Sequence, residues 1–306
     1  MRYRVAVASV FLTAVGLAAC SQKAPPAEPQ AAAGPPPTPT LEQLKTATVS
    51  GVFEQPVTLV DGRYEGPAAA PEAASRPTAM LWEPAVKFAD VDGAPGSEAI
   101  AMVSANSGGS GEFVYVSVLG IRDGKAVSLG TAPVGDRAKL NSLWIETGKI
   151  RMDVVEAGPN DPACCPTQVA RKTYAMEGGA LKQLSSDVVG VLSMNMLGGT
   201  EWMLSSLGQQ PLPEGTKAPT LRLEYGKISG FAGCNRYNAP ITETAPGQIQ
   251  IGAASTTKMA CDPAQSQLEQ QYLDHLAKAK SFTFQAGQLA VNSEADGTAG
   301  LMVFAK

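Results

Sequence analysis

The sequence predicts an α+β protein that is mostly antiparallel β, with two β-rich domains behind a Pro/Ala-rich tether. Three observations predict this fold. Short runs rich in β-branched residues recur from about residue 41 onwards. Gly-containing turns separate the runs, which is typical of antiparallel hairpins. A single amphipathic pattern at helical spacing interrupts the later runs, and one helix laid on an antiparallel sheet is an α+β arrangement.

The first residues are typical of a bacterial lipoprotein signal peptide. Arg2 and Arg4 precede an apolar stretch, 5–19, that is too short to span a bilayer comfortably. The stretch ends in Leu-Ala-Ala before Cys20, which is similar to the lipobox, where small residues precede a cysteine that is lipidated. This resemblance implies that residues 1–19 are a signal peptide that is removed, and that Cys20 is the lipid attachment site, carrying acyl chains such as palmitate. The alternative is an ordinary signal peptide with an accidental cysteine.

Lipidation at Cys20 predicts a protein of the cell envelope, held on the membrane by its anchor. Each buried methylene of an acyl chain contributes ~0.8 kcal/mol, so several chains together hold a protein firmly. Ser21 after the cysteine favours the periplasmic side of the outer membrane, if the organism is Gram-negative. Loss of two arginines with residues 1–19 changes the formal net charge from −4 to −6. An acidic surface argues against nucleic acid as a partner and leaves an envelope protein or a cell-wall component.

A tether and a first β-rich domain follow. Residues 20–40 are rich in Pro and Ala and too poor in large apolar residues to form a packed core. Residues 41–184 are predicted to be a β-rich N-terminal domain that begins after a short helix near Thr40–Ala47. Residues 185–197 are predicted to be a linker. Hairpin turns are expected at four dipeptides, Asp61-Gly62, Asp123-Gly124, Thr147-Gly148 and Gly178-Gly179.

The second domain, residues 198–306, contains the amphipathic helix, expected within 262–280. Asp262 followed by Pro263 is a favourable pair for an N-cap and a first helical position. At 100° per residue, one face collects Leu268, Tyr272, His275, Leu276 and Ala279.

Six motifs stand in order in this second domain: GGTEWMLSSL, GFAGCNRYN, TTKMAC, QLEQQYLDHL, FTFQAGQLAV and GLMVFAK. Together they resemble the META domain, the module of the heat-shock protein HslJ. The resemblance implies a META-type fold and a place in the bacterial envelope, in a family whose members often lack known enzymatic activity. In the first domain, GGSGEFVYVSVL, PVGDR and DPACCPT resemble a β-rich module of bacterial lipoproteins of the LppP/LprE type, which implies no chemistry.

Four cysteines remain once Cys20 is lipidated, and an even number in an exported chain indicates disulfide bonds. Pairing Cys234 with Cys261, and Cys164 with Cys165, keeps each bond inside one predicted domain, whereas the two other pairings cross domains. A bond between Cys234 and Cys261 would close a loop of about 27 residues and stabilise the fold by roughly 3 kcal/mol. Zinc and a catalytic cysteine are the alternatives for Cys234. The chain has one histidine and no CxxC, which disfavours both.

The adjacent Cys164 and Cys165 are open to several interpretations. They can bridge only through a strained eight-membered ring, and strained disulfides are easier to reduce. Such a vicinal bond could be a redox switch or a stiff contact surface. Two free thiols, or a bridge from one of them to another cysteine, are the other possibilities.

Two further sets of residues are candidate sites. Asn235 and Arg236 are interpreted as turn residues, with a polar ligand-binding turn as the alternative. Asp90, Asp92 and Glu98 form a weak calcium candidate, since a DxDG start is typical of calcium loops. Ala94 stands where the next acidic ligand is expected, so a solvated turn between strands is favoured.

The sequence therefore favours a non-enzymatic, membrane-anchored envelope lipoprotein with a binding or stress-protection role and no cofactor. The alternative is a thiol-redox or redox-sensing protein that uses Cys164 and Cys165. A hydrolase or other enzyme is the third hypothesis, although the sequence presents no Ser-His-Asp set or paired carboxylates that could be argued as a site.

Overall fold

A computed structural model describes residues 37–68, 75–162, 164–208, 210–295 and 298–306. The predicted signal peptide, Cys20 and most of the predicted tether lie outside these residues. Pro35–Lys306 form one compact unit, made of three β-sheets with almost entirely antiparallel pairing and two α-helices. The predicted β-rich α+β fold class is confirmed. Neither of the described helices is long and apolar enough to cross a bilayer.

Sheet I has eight strands in the order β2-β1-β8-β7-β6-β4-β3, and β5 pairs with β6. The predicted first helix is α1 (Leu41–Lys45), which begins with a capping box: Gln43 N donates to Thr40 Oγ1 at 3.3 Å and Thr40 N to Gln43 Oε1 at 2.9 Å. A 3-10 turn spans Glu83–Ala85. The strands are β1 (Thr48–Val49), β2 (Val57–Thr58), β3 (Arg63–Glu65), β4 (Pro77–Leu81), β5 (Lys87–Ala89), β6 (Glu98–Ser107), β7 (Phe113–Arg122) and β8 (Lys125–Asp136).

Sheet II has four strands in the order β12-β11-β10-β9. It covers one face of sheet I, where Ile100 and Met102 of β6 pack in one cluster with Ile150 and Met152 of β10. The other face of sheet I is covered by α1 and its neighbours. A strand covered on both faces is apolar throughout rather than alternating, which explains the continuous buried run of β6. The strands are β9 (Lys139–Glu146), β10 (Lys149–Glu156), β11 (Gln168–Glu177) and β12 (Ala180–Val191).

The segment predicted to be a linker, 185–197, is regular secondary structure instead. Strand β12 continues to Val191, and residues 185–191 take part in its pairing with β11. Met194–Leu197 then form a 3-10 turn. The sequence did not predict a strand here because these residues lie at an exposed edge, where burial does not alternate along the chain. Backbone pairing with β11, rather than side-chain burial, holds the segment in place.

Sheet III has ten strands and closes on itself, because β13 pairs with both β15 and β22. The predicted second helix is α2 (Pro263–Ala277), and Asp262 caps it by accepting from Gln265 N at 2.9 Å. Its buried face packs into a core with Trp202 and Phe284. The strands are β13 (Glu201–Leu207), β14 (Gln210–Pro211), β15 (Thr220–Glu224), β16 (Lys227–Phe231), β17 (Arg236–Ala245), β18 (Gln248–Ile251), β19 (Ser255–Thr256), β20 (Ala279–Gln285), β21 (Gln288–Ala295) and β22 (Thr298–Ala305).

The two predicted β-rich domains share buried side chains. Val155 and Val169 of sheet II belong to the core of sheet III. In return, Ala286 at the tip of the β20–β21 hairpin is buried between sheets I and II. The neighbouring Gly287 N donates to Leu140 O at 2.9 Å. The three sheets therefore meet along continuous packing.

Candidate functional site

Cys234 forms a disulfide bond with Cys261 in the structure. This is the pairing that the sequence favoured over zinc binding and a catalytic role. The two Cα atoms are 5.9 Å apart, a normal spacing for a disulfide. Cys234 lies in the turn between β16 and β17, and Cys261 directly precedes the N-cap of α2. The bond therefore ties the start of the helix to the sheet, and the predicted disulfide is confirmed.

Asn235 is buried, and its side chain is fully used within the fold. Its Oδ1 accepts hydrogen bonds from Met259 N at 2.7 Å and Thr257 Oγ1 at 2.9 Å. Its Nδ2 donates to Glu269 Oε1 at 3.0 Å. The other oxygen of Glu269 accepts the N–H groups of Asn235 and, at 3.3 Å, of Cys234. The structure thus gives Asn235 a structural role that leaves it little capacity for a ligand.

Arg236 lies beside this network with its side chain exposed. Its backbone N–H donates to Thr257 Oγ1 at 3.2 Å, which continues the pairing of the turn with the segment before α2. A ligand-binding role for Arg236 stays a prediction. Sequence reasoning missed Glu269, whose position next to the buried Leu268 on an amphipathic helix was the available signal.

The structure also pairs Cys164 with Cys165, and both side chains are exposed in the loop between β10 and β11. Asp161 shapes this loop. Its Oδ2 accepts from Gly158 N at 2.9 Å and Thr167 N at 2.6 Å. These backbone hydrogen bonds lower the pKa of the Asp161 carboxyl. The adjacent cysteines are therefore presented on a loop with a defined shape.

A cleft of about 170 Å³ lies between this cysteine loop and sheet III. The loop contributes both cysteines and Pro166 to the lining. Sheet III contributes mostly neutral polar side chains, Gln248, Ser281, Thr283 and Asn292. An exposed disulfide bond beside a small cleft is accessible to a thiol reductant.

The calcium candidates come together in the loop between β5 and β6. Oxygen atoms of Asp90, Asp92 and Glu98 lie within 4.8 Å of one another. Asp90 Oδ1 accepts from Gly93 N at 2.9 Å, and buried Glu98 accepts from Val91 N at 3.0 Å. Calcium takes six to eight oxygen ligands, so three carboxylates that also bond their own loop make an incomplete set. Calcium binding here stays a prediction, and a solvated turn remains the favoured interpretation.

His275 is hydrogen-bonded at the boundary between α2 and sheet III. Its Nδ1 lies 2.8 Å from Ser293 Oγ. Gly300 makes this position possible, because a Cβ there would lie 2.5 Å from the imidazole ring. The contact is that of a packed, hydrogen-bonded histidine.

The sequence reasoning also missed the free edge of β12. Among the described residues, β11 is the only strand beside 184–191, and Leu184 and Val189 form bulges in the pairing with it. Four large apolar side chains are exposed along this edge: Leu184 is 42%, Val188 64%, Val189 48% and Val191 57% exposed. The start of the strand is covered, since Gly130 of β8 lies so close that a Cβ there would be 2.8 Å from Leu181 N. A long apolar edge of this kind is a template for pairing with another strand.

Comparison with known proteins assigns the last third or so of the chain. A family model described as META domain matches residues 195–304. An NMR structure of a protein from Burkholderia xenovorans is 26% identical, covers 40% of this chain and 96% of its own, and has a TM-score of 0.30. A second NMR structure is 19% identical, covers 37% of this chain and 94% of its own, and also has a TM-score of 0.30. The chain matches none of the curated proteins. Residues 195–304 of this chain are a META domain, in agreement with the motifs that predicted one at 198–306.

Proposed function

We propose that this chain is a lipid-anchored, non-enzymatic binding protein of the cell envelope with a role in stress protection. The META domain supports the setting, since such domains are found in envelope or stress-related proteins. The lipobox-like residues before Cys20 support the anchor, and the Pro/Ala-rich residues after it would hold the β-rich unit away from the bilayer. A lipid-anchored binding protein needs a surface that recognises its partner.

The free edge of β12 is the observation that carries the binding role. Residues 184–191 present backbone N–H and C=O groups that no described strand pairs. The segment contains a single charged residue, Asp187. Native proteins usually protect an edge strand with charges, prolines, β-bulges or a covering element. This edge carries two bulges, at Leu184 and Val189, but no described element covers it. It is therefore open to a partner strand over the regularly paired residues 185–188.

The occupant that fits this edge is an extended apolar segment of a partner protein. Only another extended backbone matches a row of alternating donors and acceptors, which is the chemistry of β-strand addition. Side chains of the partner would alternate between the two faces of sheet II. On one face they would meet Val188, which is paired with Ala170, and on the other Asp187, which is paired with Arg171.

Amide hydrogen exchange and photo-cross-linking in envelope extract test this surface. A photoreactive residue at Val189 should cross-link one protein through an extended segment, and the amides of 184–191 should become protected when that protein is added. Val188→Lys combined with Val191→Lys should abolish both signals. The matched control is Val60→Lys, since Val60 is 76% exposed on another surface. Equal cross-linking in wild type, the double-lysine variant and the Val60→Lys control would contradict the proposal. So would an experiment in which no protein is enriched above an unrelated protein on the same lipid anchor.

The anchor has its own test. Wild type and Cys20→Ser are compared in cells grown with labelled palmitate. The proposal expects label and membrane association in wild type and loss of both in the variant. Retention of either by Cys20→Ser would rule out lipidation at this residue.

A thiol-redox role is the second candidate, and the exposed Cys164–Cys165 bond beside a cleft favours it. In such a step an external dithiol would give two electrons and two protons to the bond, which opens to two thiols while the dithiol becomes a disulfide. Replacing both cysteines with Ser should then abolish any redox-dependent change in exchange or binding. Identical behaviour of wild type and variant with and without dithiothreitol would remove this candidate.

A further inference from the structure

A second cleft, of about 290 Å³, lies where the three sheets meet. Sheet I contributes Lys87 at the start of β5, and sheet II contributes Asn141 of β9. Sheet III contributes the β20–β21 turn at Gly287, and Lys306 follows its last strand, β22. At one wall of the cleft, Gly287 N donates to Leu140 O and ties the hairpin to sheet II.

The cleft concentrates positive charge in a protein whose net charge is negative. Lys87 and Lys306 both line it, and its described lining contains no Asp or Glu side chain. In the part of the chain that the structure describes, neither lysine takes part in an ion pair. Two ammonium groups that face one space with no acidic side chain in its described lining favour an anion between them.

The ammonium of Lys306 is held in place before any ligand arrives. Its Nζ donates to Asn141 O at 3.3 Å and lies 5.5 Å from the centre of the Trp202 ring. Burial lowers its pKa, and repulsion from Lys87 lowers it further. An anion in the cleft would relieve this repulsion, so binding an anion and charging Lys306 favour one another.

We propose that this cleft binds the phosphate group of an organic phosphate, with Lys87 and Lys306 as its two cationic contacts. Lysine ammonium groups are common phosphate ligands, as point charges that do not require the planar geometry of a carboxylate partner. Asn141, Ser142 and Gln288 line the same cleft and offer neutral hydrogen bonds to the remaining oxygens. This site is separate from the β12 edge and does not rest on it.

The apolar part of the ligand would lie in a groove of about 390 Å³ that shares Pro84, Ala286 and Gln288 with the cleft. Met80, Leu81 and Trp82 line that groove. Glu83 also lines it, but its carboxylate is paired with Lys45 at 3.5 Å. The site would therefore take an amphiphilic phosphate, either a soluble ester or the headgroup of an anionic lipid.

Titration calorimetry on the full chain tests the site. The probes are inorganic phosphate, phenyl phosphate, and short-chain phosphatidylglycerol and phosphatidylcholine below their micelle concentrations. Phenyl phosphate should bind more tightly than inorganic phosphate. Its affinity should fall at least tenfold in Lys87→Gln and in Lys306→Gln. Lys125→Gln, at an exposed hairpin turn, is the matched control and should bind like wild type. Melting temperatures of all variants show whether each is folded.

Comparison of the two lipids with phenyl phosphate distinguishes an anionic lipid headgroup from a soluble phosphate ester as the ligand. Tighter binding of phosphatidylglycerol than of phenyl phosphate, with weak binding of phosphatidylcholine, would identify an anionic lipid headgroup. The reverse order would identify a soluble ester. Equal affinities in wild type and both lysine variants, or no heat from any probe at millimolar concentration, would overturn the proposal. A folded Lys306→Arg that binds as poorly as Lys306→Gln would also count against a charge-based site.

Discussion

Removal of the Glu269 carboxylate is the perturbation that the structure describes most fully. Glu269→Ala deletes the acceptor for three donors of the Cys234 turn: the N–H groups of Cys234 and Asn235, and Asn235 Nδ2. Cys234 and Asn235 are buried, so these donors cannot simply turn to solvent. Their loss of a partner should loosen the attachment of α2 to sheet III.

The expected loss of stability follows from counting donors. An unsatisfied buried donor costs about 1–3 kcal/mol, and the lower figure applies here because Glu269 itself is only half-buried, which lets water replace part of the carboxylate. Three donors at the lower figure amount to about 3 kcal/mol. In a unit of this size each kcal/mol lowers Tm by about 2–4 °C, so the expected fall is about 6–12 °C. Glu269→Gln keeps one acceptor oxygen and should lose about half as much.

Thermal unfolding by circular dichroism measures the effect with the disulfides intact. The control is Gln270→Ala, an exposed change on the same helix that should alter stability by less than about 0.5 kcal/mol. Glu269→Ala should also speed reduction of the Cys234–Cys261 bond, because the buried turn opens more often. A Tm for Glu269→Ala equal to that of Gln270→Ala would refute the reasoning.

Three further predictions concern stability. Replacing Cys234 and Cys261 together by Ser should lower the free energy of unfolding in urea by about 3 kcal/mol, because the bond closes a loop of 27 residues. An equal loss when Cys164 and Cys165 are replaced by Ser would contradict this reason, since their bond closes no loop. Gly230→Ala should cost about 2 kcal/mol or more in the same assay, because a Cβ there overlaps the carbonyl oxygen of Thr220; Gly109→Ala, with open space around it, should cost far less. Since the pKa of Lys306 is lowered below its ordinary 10.5 in the folded state, the unfolded state binds that proton more tightly. Wild-type stability relative to Lys306→Gln should therefore rise as the pH passes through the lowered pKa and approaches 10.5, and a fall measured by urea unfolding would disprove the sign.

Local features of the chain were predictable because their causes are local. Asp262 and Pro263 start α2 whatever surrounds them, since an oxygen acceptor and a fixed φ are what a first helical turn requires. The Asp-Gly and Gly-Gly turns reverse the chain because both of their residues adopt a positive φ. The META motifs combine several such features in a fixed order, so the family could be recognised from residues alone.

Edges and buried charges were not predictable in this way. Residues 185–191 lack an alternating pattern, yet they form half of β12 because β11 supplies their hydrogen bonds. Lys172 resembles any surface lysine in the sequence. In the structure it is buried between sheets I and II, and it donates to Val134 O at 2.8 Å and Glu156 Oε2 at 2.7 Å. Whether a polar residue is covered depends on which sheet packs over it.

The sequence by itself determined the β-rich fold class, the META domain and the spacing of its disulfide. These depend on short patterns and on residue types that have few alternative uses. The tertiary structure alone decided that Asn235 is hydrogen-bonded to Glu269, that one edge of sheet II is open, and that Lys87 and Lys306 line the same cleft. Each of these depends on groups that are far apart in the chain, and only the packing of three sheets brings them within hydrogen-bonding or Coulomb range.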